Sequence, residues 1–174
     1  MKRIKHLFPD HSILSEEGDD FSVESEYVWI CDPVDGTHNF SHGIPTATFA
    51  LALTRLGEPT LSVILDPFEE RTFSAEKGKG ARLNGHPIHV NKNTGLKKSV
   101  IGCGKTKAVR NLFPFMDAAY DRGVSFITGL SIHYMCALTA AGEFSAAIFG
   151  GFAAHDMTAG KLLVEEAGGK ATDV

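Results

Sequence analysis

Two aspartates three residues apart, Asp32 and Asp35, flank Pro33 and Val34 where the apolar run Tyr27 to Cys31 breaks, and Gly36 and Thr37 follow at once. Carboxylates so placed could hold a hard divalent cation. Mg2+ takes oxygen ligands, and the two side chains can converge with the carbonyl of Val34 around a corner made by Pro33. The apolar run is of strand type, and a proline biases the residue before it away from the α region. The strand is therefore expected to carry Asp32 to its end, with Asp35 beyond a turn. Gly36 lets backbone approach a ligand closely, and a helix starting here would offer free N–H groups to an anion. Asp, Pro and Gly are equally turn formers, so a plain surface turn also accounts for residues 32–36. An EF-hand does not fit, because Val34 would fill its third position and Gly43 its twelfth.

Two more acidic positions bear on this chemistry. Glu16 and Glu17 stand before Gly18, where an acidic pair alone reads as a solvated loop. Asp156 opens a helical stretch closed by Gly168 and Gly169, where alone it reads as an N-cap. The longer strings say more. W-x-x-D-P-x-D-G-T-x-N-F-x-H-G-x-P, from Trp29 to Pro45, resembles the signature of the inositol monophosphatase family, the Mg2+-dependent, lithium-sensitive phosphomonoesterases. H-S-x-x-x-E-E, from His11 to Glu17, and D-x-x-A-G-x-x-L-x-x-E-A-G-G, from Asp156 to Gly169, resemble two further segments of that family, with His155 in place of its Trp.

The resemblance implies a metal centre of Glu16, Asp32, Asp35, Asp156 and the carbonyl of Val34, holding two or three Mg2+ ions, with Mn2+ as a substitute. It implies Glu16, Asp35 and Thr37 as catalytic groups and Gly36, Thr37 and Ser131 as contacts to phosphate or substrate, with Glu17 in support. The reaction implied is hydrolysis of a small phosphate monoester, an inositol-phosphate-like sugar or polyol, by metal-activated water. The runner-up is a family member that binds metal, phosphate or a partner without efficient turnover. Two like charges about 4 Å apart repel by about 4 kcal/mol at an effective dielectric near 20, so such a cluster needs cations. Two departures weaken recognition of inositol: Phe149 stands where inositol-hydrolysing members carry a Glu, and Gly129-Leu130-Ser131-Ile132 replaces G-S/T-A-A. The resemblance also implies that N-terminal helices, which supply an acidic partner for Thr37, and a closing strand and helix are missing from this chain.

Composition sets wider limits. With 174 residues, 43% of them hydrophobic, the chain can bury a sizeable core. A formal charge of -4 with scattered basic residues argues against a nucleic-acid partner. No run approaches the ~20 apolar residues of a membrane span. Cys31, Cys103 and Cys136 are an odd number without metal or disulfide spacing, which suits a reducing cytoplasm. His38, His42, His133 and His155 show no recognised zinc-ligand spacing. A homodimer is expected.

The elements that must position these residues follow from the pattern. Strands are expected at 46–56, 61–66, 71–75, 99–102, 124–127 and 144–149, the first three as an antiparallel meander. Residues 76–85 read as glycine-rich turns without Walker spacing. Helices are expected from about Pro114 to Tyr120, with apolar spacing that begins at Val109, and over 131–141 and from His155 onwards. Residues 2–9 read as a helix tail or extended lead-in. The small Ala159 and Gly160 should let the last helix lie close to the sheet carrying Asp32. The fold class is α+β, a layered α-β sandwich: an antiparallel metal-binding half, 1–92, and a second α/β half, 93–174, that contributes the last ligand.

Overall fold

A computed structural model describes residues 1–18, 20–93, 95–104, 113–150 and 153–172. Short α1 (Lys2–Leu7) leads into β1 (Ser12–Ser15) and β2 (Tyr27–Asp35). After α2 (Thr37–Ser41) come β3 (Thr48–Arg55), β4 (Glu58–Asp66), β5 (Arg71–Glu76), β6 (Gly80–Leu83) and β7 (His86–Ile88). The second half holds β8 (Val100–Cys103), α3 (Phe113–Tyr120), β9 (Ser125–Thr128), α4 (Ile132–Ala140), β10 (Ala146–Ile148) and α5 (Ala154–Glu166). Val109 and Leu112 lie outside the described residues.

Strands β1 to β7 form one sheet in chain order; β1 is parallel to β2 and every later pair is antiparallel. This is the expected meander, lengthened because the glycine-rich stretch contributes β6 as well as turns. Strand β4 also begins earlier than expected, at Glu58. It accommodates Pro59, which has no N–H to donate, at a register shift opposite Leu53 and Thr54. The second sheet, β10-β8-β9, is parallel throughout.

Alternate residues of the large sheet, Ala50 and Ala52, Ile64, Phe73 and Ala75, pack on Cys136, Ala137 and Ala140 of α4 and on Ala159, Leu162 and Leu163 of α5. On its other side α4 meets the small sheet through Met135 and Leu138, with Phe144 and the partly buried Phe149. Beyond that sheet Ile101 and Cys103 pack on Ala119 of α3. The order is sheet, helix pair, sheet, helix. Lying between two sheets explains why α4 lacks a polar stripe: seven of its nine residues are buried. Among the described residues no helix is long and apolar enough to cross a membrane.

The small pair on α5 divides its work differently from expectation. Ala159 does lie against the sheet, where its carbonyl accepts the Ser62 hydroxyl of β4 at 2.7 Å. Gly160 instead faces α4: a Cβ there would lie 2.6 Å from Cys136 Sγ and 2.8 Å from its Cβ. Gly160→Ala should therefore lower stability by ~1–3 kcal/mol, the usual cost of overpacking, in urea or thermal unfolding. An unchanged midpoint would mean that the two helices do not meet there.

Candidate metal centre

Strand β2 does not stop at Asp32, as proline had suggested, but runs through Pro33 to Asp35. Asp32 pairs with Ala50 and Asp35 with Thr48, so three steps along β2 match two along β3. The extra residue is a β-bulge, placed where proline has no N–H to give the ladder. In a regular strand residues three apart point to opposite faces. The bulge cancels that alternation, and both carboxylates end up buried, with 2% and 7% exposure.

The two aspartates are held differently. Asp32 Oδ1 accepts the backbone N–H of Val34 at 3.0 Å. Asp35 reaches the start of α4, where its Oδ1 accepts the Ile132 N–H at 3.3 Å and its Oδ2 the His133 N–H at 2.5 Å. These are orphan donors of a helix N-terminus, whose dipole favours an anion. Ser131 is the N-cap of α4; its buried hydroxyl accepts the Tyr134 N–H at 3.2 Å and lies 3.1 Å from Thr48 Oγ1. Gly36 makes this approach possible: it has φ 86°, and a Cβ on it would fall 2.9 Å from Ser131 Cβ. Asn39 of α2 adds a tie, donating to Thr46 Oγ1 and to the Gly129 carbonyl.

The remaining expected residues lie at graded distances. Glu16 is exposed just past the end of β1 but lies close enough to the Asp32 side chain to raise its pKa. Val34 is partly buried within the bulge, and Thr37 is exposed at the first position of α2. Asp156 sits in the first turn of α5, whose N-cap is Ala153, not Asp156. Its Oδ1 lies 4.0 Å from His155 Nε2. The residue that joins the pair is His133, which its sequence spacing had set aside as a metal ligand. One of its ring nitrogens and carboxylate oxygens of Asp32 and Asp35 all lie within 4.8 Å of one another, a group that includes neither Glu16 nor Asp156.

Burial pushes the Asp32 carboxyl up to about 8; the charge of Asp35 and the hydrogen bond and charge of Glu16 add to this, and the Val34 N–H opposes it. A carboxyl so placed shares a proton with its neighbours unless a cation displaces it. The donor set suits a divalent cation: hard carboxylate oxygens crowded against one another, beside a buried imidazole.

Fold and centre together define a layered α+β protein with an acidic metal-binding site between a bulged sheet strand and a buried helix. Comparison with known proteins gives the same result. The family model for the inositol monophosphatase family matches residues 1–174. Nus factor SuhB of Pseudomonas aeruginosa is 33% identical over 98% of this chain and 66% of its own length. The fructose-1,6-bisphosphatase/inositol-1-monophosphatase of Thermotoga maritima is 33% identical over 98% of this chain and 65% of its own. The solved inositol monophosphatase of Anabaena superposes with a TM-score of 0.87 at 32% identity, covering 97% of this chain and 69% of that one. The chain belongs to the inositol monophosphatase family. It spans just under two thirds of the length of these two curated relatives.

The raised Asp32 has a thermodynamic consequence. Between the ordinary carboxylate range and about pH 8 the folded, metal-free protein keeps a proton that the unfolded chain releases. Stability in chelator should therefore fall as pH rises through that window and level off above it. Asp32→Asn should flatten the slope; an equal slope in the variant would place the proton elsewhere.

Proposed function

We propose that the protein hydrolyses a small phosphate monoester with the help of divalent metal, Mg2+ in the first instance. The single observation that carries this reading is the pairing of Asp32 and Asp35 on one face by the Pro33 bulge, within a chain of this family. Glu16, Asp32, Asp35 and the Val34 carbonyl would hold the metal, with Asp156 closing on it from α5. On this reading residues 1–92 supply the acidic half of the centre and residues 93–174 the helices that complete it. When bound, the metal would supply charge neutralisation for the phosphate and a lowered pKa for attacking water.

The chain's own groups would do the rest. Thr37, exposed beside the buried pair, would orient water or bond a phosphate oxygen, and the backbone N–H groups of Gly36 and Thr37 would bind the other oxygens. Asp35 would set the position of the centre against α4 while serving as a ligand. Ser131, with its hydroxyl engaged by Thr48 and Tyr134, would act by holding the start of α4 against Gly36. The names of the relatives suggest inositol phosphates or fructose bisphosphate as the substrate class. Phe149 packs into the core between α4 and the sheets and offers no hydrogen bond, which favours broad over inositol-specific recognition. A second reading, metal binding without turnover, gains weight from the name Nus factor carried by several relatives.

Phosphate release from a panel of inositol, fructose and other sugar monophosphates and bisphosphates separates the two. With Mg2+ we expect release from several substrates, inhibition by lithium, and a drop of at least ~10–100-fold in Asp35→Asn, the scale of losing a metal-site partner. Release no greater than that of the variant would remove the enzyme reading and leave the binding one.

A further inference from the structure

Given a metal centre at Asp32 and Asp35, we propose that His133 is a nitrogen ligand to it and biases the site towards a borderline ion such as Zn2+ relative to an all-oxygen centre. His133 is fully buried at the second position of α4, with its backbone N–H on Asp35. Its Nε2 lies 2.7 Å from the carbonyl oxygen of His155. A carbonyl only accepts, so Nε2 carries a proton, and in the neutral ring Nδ1 is then the nitrogen with a free lone pair. Nδ1 has no hydrogen-bond partner although it is buried. Unpaired polar atoms at such depth are rare and costly.

The surroundings match what a ligating imidazole needs. A ligating ring hands its other N–H to a carbonyl or carboxylate, which fixes its orientation and leaves one nitrogen free for the metal; the His155 carbonyl plays that part for Nε2. A ring nitrogen of His133 falls within 4.8 Å of carboxylate oxygens on both aspartates, so a small inward shift of these side chains brings all three donors within bonding distance of one cation. Gly160 keeps the ring edge open, since a Cβ there would approach Nδ1 to 3.4 Å. Imidazole favours zinc, iron and nickel, whereas carboxylate and carbonyl oxygens suit magnesium. His133 also adds a donor without adding negative charge to a centre that already crowds its carboxylates.

The test uses the folded chain with Zn2+ or Mg2+ as the sole added metal. In long-range 1H–15N spectra of wild-type protein, one histidine in the Nε2–H form should change its Nδ1 resonance on Zn2+ addition. In His133→Leu that signal should be absent, and Zn2+ affinity should fall by at least ~10-fold while Mg2+ affinity changes less. His155→Phe, which retains the backbone carbonyl, should keep the response. Binding of Zn2+ with no shifted histidine Nδ1, or a shift surviving in His133→Leu, overturns the proposal while leaving the metal centre in place. Failure of both ions to bind overturns the centre as well. If His133→Leu does not fold, His133→Asn takes its place, and a shifted histidine Nδ1 signal that survives in His133→Asn, or that is lost in His155→Phe, overturns the proposal.

Discussion

Everything at this centre depends on an interaction that opposes folding: two carboxylates, Asp32 and Asp35, buried beside each other with Glu16 at their rim. Neither burial nor mutual repulsion would arise if strand alternation had sent the second aspartate to the opposite face. One extra residue at the bulge creates the conflict, and the fold contains it with fixed dipoles. Asp35 takes two N–H groups from the first turn of α4, Asp32 takes one from Val34, and burial together with the remaining repulsion raises the Asp32 carboxyl until a proton or cation resolves it.

The layered architecture serves the same end. A helix whose first turn binds a buried carboxylate must be held rigidly, and α4 is gripped on both sides, by the large sheet through Ala137 and Ala140 and by the small sheet through Met135 and Leu138. Its N-terminus is tied to β3 through Ser131 and Thr48 and to the bulge through Gly36, where only a hydrogen fits. The glycine of Asp35-Gly36-Thr37 thus answers to packing against α4 as much as to any ligand. Its positive φ allows the chain to leave the strand and enter α2 at that contact.

Much of this was legible in the sequence because local chemistry dictated it. The meander followed from alternating apolar residues and its turns, and the family strings placed Glu16, Asp32 and Asp35 in one region. Pro33 was read correctly as a local disturbance and wrongly as a strand end. A proline inside a strand can be absorbed by a bulge, and only the pairing with β3 reveals that. Asp156 looked like an N-cap by itself, yet Ala153 holds that position, since helix starts are set by tertiary approach as well as by residue type. Gly160 was expected to face the sheet, but a helix packed on two neighbours presents small residues to each. His133, weighed with three other histidines, was set aside because tertiary contacts, not spacing, place it. Its partners, Asp35 and the His155 carbonyl, are 98 and 22 residues away, and no spacing rule links them.

Formal charge then constrains what the centre can bind. Glu16, Asp32 and Asp35 bring three negative charges when ionised, against roughly half a positive charge from the α4 N-terminus. One divalent cation leaves the group net negative, which would repel a phosphate dianion. Two cations, or one cation with the proton kept on Asp32, bring it to the sign that a phosphate requires. Another carboxylate, from Asp156, would strengthen metal binding while demanding still more positive charge. A neutral imidazole would strengthen it at no such cost. In a buried site of low dielectric, where each uncompensated charge weighs more than in water, that difference favours a neutral donor at the inner position and a partly exposed acid such as Asp156 at the rim.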